Sequence, residues 1–97
     1  MIQKYNRWES AKYRKLVSEQ PCIICGGTPS APHHDRKGQN AGMGMKPHDT
    51  TCIPICATHH QELHAIGRMS FCEKYEITDD DIKNEKFRIM LMWIHSH

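Results

Sequence analysis

The sequence predicts a small α+β domain held together by metal ions rather than by its apolar core. Three observations predict it. The chain has 97 residues, a length that fits one domain and leaves no room for a second. Only 38% of those residues are hydrophobic, a lean core for a chain of this size. Eight His and five Cys supply thirteen candidate metal ligands, most of them between residues 22 and 67.

Residues 6–19 place Trp8, Tyr13, Leu16 and Val17 at near-helical spacing among charges. This predicts an amphipathic N-terminal helix of about three turns, ended by Pro21. Its Lys12, Arg14 and Lys15 read as a solvated face. Ala31-Pro32-His33-His34 reads as the end of a strand. The run from Gly38 to Asp49, GQNAGMGMKPHD, lacks apolar periodicity and reads as a long loop. A short helix is expected from Thr58, as N-cap, to Gly67, a typical C-terminal stop. Residues 70–95 read as helical, with Thr78 capping and Asp79, Asp80 and Asp81 on the positive end of the dipole. The run IMLMWI within it is apolar nearly all round, which requires burial or a partner.

Composition narrows the setting. The net charge is +2, compatible with nucleic acid without demanding it. The first ten residues hold no apolar core of a signal peptide, and the longest apolar run is six residues, Ile89 to Ile94. The expectation is therefore a cytoplasmic protein, with no membrane contact, whose thiols stay reduced and bind metal.

Cys22 and Cys25 form a C-x2-C pair before two glycines, and Cys56 and His59 form a C-x2-H pair. Together they make a closed four-ligand set of the type zinc uses for structure. Cys52 competes with Cys56 by position and reads better as a buried strand residue. Cys72 has no partner at metal spacing and reads as packing.

A second constellation lies beside the first. His60 and His64 stand four apart on the expected helix, so both rings project from one face. His33 and His34 are neighbours in an extended strand, so their side chains point opposite ways. One can join His60 and His64 on a metal while the other stays free as a general base. Three protein ligands leave positions open for water and substrate, the mark of a catalytic ion. The assembly suits phosphodiester hydrolysis. A metalloprotease needs H-E-x-x-H, whereas this chain has H-Q-E-L-H, and the shifted Glu62 turns about 100° away from the ion.

These residues, from Cys22-x2-Cys25 through Ala31-Pro-His33-His34 to Ile53-Pro-Ile-Cys56-x2-His59-His60-x3-His64, resemble the HNH endonuclease superfamily, also called ββα-metal or His-Me finger nucleases. More narrowly, Pro21-Cys22 to Gly26, the loop Gly42 to Asp49 and the helix Pro54 to His64 resemble small phage and prophage HNH proteins linked to recombination. The resemblance covers about residues 5–75. It implies a zinc-stapled finger of a two-stranded hairpin and one helix, flanked by N- and C-terminal helices.

The resemblance also implies roles. His34 matches the general base. His33, His60 and His64 match the ligands of a divalent cation, which Mg2+, Mn2+, Ni2+ or Zn2+ can supply. The family's Asn, which orients the base, is replaced: nine residues before His60 stands Thr51, with Asp49 close by. Arg36, Lys37 and Lys46 are the expected DNA-phosphate contacts. The implied activity is a metal-dependent DNA endonuclease in phage or prophage recombination or processing, inside a bacterial host. Two rivals accompany it. One is a zinc-stabilised DNA-binding accessory protein that has lost cleavage. The other is a recruitment protein whose IMLMWI helix docks on a recombination or packaging partner.

Overall fold

The computed structural model describes residues 8–35 and 48–96. Arg36, Lys37, Lys46 and most of the Gly-rich loop lie outside the described residues, so their expected DNA contacts are not placed.

Helix α1 (Ala11–Ser18) starts at Ser10, whose side chain accepts the Tyr13 N–H at 3.1 Å. It is shorter than the three turns expected from residue 6. The reason lies in residues 8–10, whose backbone is committed elsewhere. Trp8 donates its N–H to His48 Nδ1 and accepts from the Asp49 N–H through its carbonyl, while the Ser10 N–H donates to Asp49 Oδ2 at 2.7 Å. Ser10, itself extended, then caps α1.

Strand β1 (Ala31–His34) pairs antiparallel with strand β2 (Cys52–Ile55), which a single 3-10 turn, Asp49–Thr51, precedes. The register sets His33 opposite Ile53 and His34 opposite Cys52. Directly opposed residues share a face, and successive residues alternate. All four residues of β2 are buried, because both faces of this small sheet are covered. Ile53 and Ile55 pack with Cys22, Leu63, Phe71 and Ile82 on one side. Cys52 packs with Tyr13, Val17 and Ile89 on the other. The chain thus has two half-cores sharing one strand as their wall.

Helix α2 (Ala57–Ile66) begins one residue before the expected cap. Cys56, not Thr58, occupies the N-cap position, and its side chain makes no cap hydrogen bond. Gly67 ends the helix as expected, at φ +86°, where a side chain is strained. Its carbonyl then accepts the Phe71 N–H and opens helix α3 (Arg68–Lys74).

The expected C-terminal helical segment, with its helix start at Thr78, is observed as two helices, the first beginning at Arg68. They are separated by Glu76 at φ +55°, with the Ile77 N–H bonded back to the Cys72 carbonyl at 2.9 Å. This is a left-handed C-terminal cap of the kind that usually takes glycine. Helix α4 (Asp79–Ser96) starts on a reciprocal box: Asp81 N–H to Thr78 Oγ1 at 3.0 Å, and Thr78 N–H to Asp81 Oδ2 at 2.9 Å. Of α4, Ile82 and Ile89 are buried, whereas Phe87, Leu91 and Ile94 stand exposed. Trp93 and Tyr13 meet edge to face with Trp8, closing the α1–α4 side. Among the described residues no helix is long and apolar enough to cross a membrane.

Candidate metal centres

Two groups of metal ligands draw on α2. The first is built from the turn at Cys22–Gly27 and the start of α2. Gly26, at φ +72°, lets its N–H reach the Cys22 carbonyl at 2.8 Å, and the Cys22 N–H takes the Gly27 carbonyl at 2.9 Å. The Ile23 N–H donates to the Pro54 carbonyl and ties this turn to β2. Both thiols of the turn then face Cys56 and His59.

The ligand atoms of Cys22, Cys25, Cys56 and His59 all lie within 4.8 Å of one another, and the cluster can hold a metal ion such as zinc. The edges fit. A tetrahedral zinc with Zn–S ~2.3 Å and Zn–N ~2.05 Å has S···S edges of ~3.8 Å and S···N edges of ~3.6 Å. Cys25 Sγ and Cys56 Sγ are 3.8 Å apart, and His59 Nδ1 lies 3.1 Å from Cys56 Sγ and 3.9 Å from Cys22 Sγ. Burial opposes ionisation of Cys22. The backbone N–H groups of Cys56, Cys25 and Ile24 outweigh it and bring this thiol down to about 7, which favours the thiolate a metal needs. The His59 ring stands edge-on against Tyr75, whose hydroxyl donates to Glu62, itself paired with Lys74. Cys52 lies on the opposite face of β2 and takes no part in this cluster, and Cys72 packs against the first half-core.

The second group comes from β1 and the middle of α2. His60 and His64, one turn apart, bring their Nε2 atoms to 3.0 Å, and His33 Nδ1 stands 3.2 Å from His60 Nε2. Two nitrogens on one ion at ~2.05 Å are ~2.9 Å apart at a right angle and ~3.3 Å apart in a tetrahedron. The trio sits within that range. All three rings line an open cleft of about 510 Å3 with Pro32, His34, Asp35 and Arg68. Burial first, then the neighbouring imidazoles His60 and His64, push His33 down to about 4, so its ring is neutral and can offer a lone pair at neutral pH. Burial and His64 also lower His60.

His34, next in sequence, faces the other way, as strand alternation requires. Its Nε2 lies 2.9 Å from Asp49 Oδ1. Asp49 is fully buried, and its other oxygen accepts from Arg14 Nη1 and the Ser10 N–H, both at 2.7 Å. A carboxylate only accepts hydrogen bonds. His34 must therefore carry its proton on Nε2 in this contact, which leaves the lone pair on Nδ1. Thr51, the residue at the expected Asn position, does not touch His34: its hydroxyl donates to the His48 carbonyl at 2.7 Å. Of the two expected orienting residues, the structure brings Asp49 to His34 and turns Thr51 away.

One cluster escaped sequence reading. Asp35, buried, holds Arg68 Nε at 2.7 Å and Lys86 Nζ at 2.9 Å, and Arg68 also reaches Asp79 at 2.9 Å. Burial opposes ionisation of Asp35, but these two cations hold its carboxyl below the usual range. The cluster locks the strand end carrying the two histidines to α3 and α4, and it leaves Arg68 facing the cleft. Its members are 33 and 51 residues apart. Their only local signal is that Arg68 follows the helix-stopping Gly67.

The chain is similar to the "Uncharacterized protein YdfU" of Escherichia coli (strain K12), with 40% identity over 74 residues. That match takes in 76% of this chain and 21% of the relative, so the chain spans about a fifth of the relative's length. No solved structure matches. Residues 1–80 match the model of the family described as "Protein of unknown function (DUF968)", and the chain belongs to that family.

Proposed function

We propose that this chain is a metal-dependent DNA endonuclease of the HNH, or ββα-metal, type, acting in phage or prophage DNA recombination or processing. One observation carries the reading: three imidazole nitrogens converge at a cleft while the adjacent His34 is held by a buried carboxylate on the other face of the same strand. Three neutral donors on one side of an ion leave its remaining positions for substrate and water. Zinc on Cys22, Cys25, Cys56 and His59 takes the structural role.

The chain's own residues supply the proton chemistry. Asp49 accepts the Nε2–H of His34 and fixes the tautomer, so Nδ1 takes a proton from the attacking water. The water oxygen bonds to phosphorus as the bond to the leaving 3′-oxygen breaks. The imidazolium formed on His34 is stabilised by Asp49, whose charge Arg14 balances. Arg68, held by Asp35 and Asp79, presents a cation to the same cleft. The divalent ion, when bound by His33, His60 and His64, supplies charge neutralisation at the phosphoryl and leaving oxygens.

A plasmid-nicking assay with added Mg2+, Mn2+ or Ni2+ tests this. Cutting that requires the added ion and disappears in His34→Ala supports the reading. Binding of DNA without cutting under any of these ions leaves the accessory-protein alternative in its place.

A further inference from the structure

A second groove opens beside the 3-10 turn, against helix α4. It encloses about 430 Å3 and is lined by Thr50, Thr51, Lys83, Lys86, Phe87 and Met90, with Asn84 among them. Among the described residues, two lysines line it and no carboxylate does. The larger groove between α3 and α4 carries Glu73, Glu76 and Asp79 against the single cation Arg68, a balance less favourable to a polyanion. The two lysines differ. Lys86 is committed to Asp35 at 2.9 Å. Lys83 is exposed and, among the described residues, has no hydrogen-bond or ion-pair partner. Phe87, 60% exposed, stands one turn after Lys83 on the same helix.

The groove adjoins Asp35, the residue that follows His34. The Thr51 carbonyl accepts the Asp35 N–H at 3.2 Å, and Lys86 holds the Asp35 side chain, so both walls meet the residue directly after His34. A ring standing free on a helix offers its π-face, which a base can cover only when it is out of a duplex stack. The Thr50 hydroxyl and the Asn84 amide suit the polar edge of such a base.

We infer that this groove binds an unpaired nucleotide of the nucleic-acid substrate, its base stacked on Phe87 and an adjoining phosphate on Lys83. The inference rests on the endonuclease reading and narrows its substrate to DNA with a single-stranded segment beside the cut.

The test is fluorescence anisotropy with the zinc-loaded full chain carrying His34→Ala to prevent cutting. The probes are a blunt duplex and the same duplex with a thymidine tail on one strand. The tailed probe is expected to bind at least about 5-fold tighter. Phe87→Ala removes that preference, a loss of about 5–150-fold for one base–aromatic stack, and leaves the blunt probe within about twofold. Phe87→Trp retains it. Lys83→Gln lowers the salt dependence of tailed binding by about one phosphate contact.

Equal binding of both probes, or tailed binding unaltered by Phe87→Ala, overturns the inference. If Phe87→Ala instead dissociates an oligomer on size exclusion while tailed binding stays, the face is a protein contact and the inference also falls. Ion-dependent plasmid nicking without any tail preference removes this inference alone, whereas absence of binding to either probe removes the endonuclease reading with it.

Discussion

The two ligand groups share helix α2 yet differ in almost every physical respect. The first joins three sulfurs and one imidazole from two distant segments, with Cys22 buried and ligand edges matching a closed tetrahedron. The second joins three imidazoles at the mouth of a cleft, with His64 exposed. A closed set of four satisfies its ion and cross-links the chain; an open set of three leaves its ion reactive. Each set has one exposed ligand, Cys25 in the first and His64 in the second, so what separates them is donor number and donor type: four ligands that can close around an ion against three that cannot.

The widest test of this contrast removes metal from each group in turn. Cys56→Ser, or strong chelation, is expected to abolish the cooperative thermal unfolding transition, since the closed site contributes folding free energy directly. His60→Ala is expected to lose one ion per chain by metal analysis and to keep a cooperative melt. A chain that unfolds equally in both cases breaks the division.

A smaller effect sharpens the open site. On the endonuclease reading, His34→Ala is expected to reduce nicking by about 100-fold or more, the usual span for a lost general base, with the melting temperature little changed. Asp49→Asn acts on the same base indirectly. It leaves Arg14 facing a neutral amide and lets the tautomer of His34 relax, so both a fall in nicking and a loss of stability of about 2–3 kcal/mol are expected by chemical denaturation. Thr51→Ala, whose hydroxyl serves only His48, should leave the rate within a few-fold.

A further effect concerns acid. His33 ionises near 4 in the fold and near 6.5 when unfolded. Between those values the unfolded chain binds more protons, so stability is full above about 6.5 and falls as the pH drops towards 4. His33→Gln lacks this term. Across that window its melting temperature should fall less than that of the wild type, measured without added divalent ion for the open site.

Much of the site was legible because metal ligation leaves a local imprint. C-x2-C, C-x2-H and a pair of His one turn apart are spacings dictated by reach, and the His33-His34 doublet divides by strand alternation alone. Other features carry no such imprint. Ser10 begins α1 because residues 48 and 49 occupy the backbone before it, and no window around residue 6 records that. Glu76 ends α3 in a conformation that sequence rules assign to glycine, so the start of α4 at Thr78 was legible and the end of α3 was not. The Asp35–Arg68–Lys86 cluster unites three ordinary charges from distant elements. Asp49 was legible only as a neighbour of the Asn position; the 3-10 turn decides that it, and not Thr51, meets His34.

The pairing of β1 with β2 carries a last consequence. His33 and His34 owe their different surroundings to nothing but parity along four residues of chain. Shortening the approach to this strand by one position would carry His34 to the side of His60 and His64 and set Asp35 where His34 now meets Asp49, so the buried carboxylate would face a second acid in place of an imidazole. The segment can therefore absorb many substitutions, but a single-residue deletion just ahead of Ala31 strikes both places at one stroke.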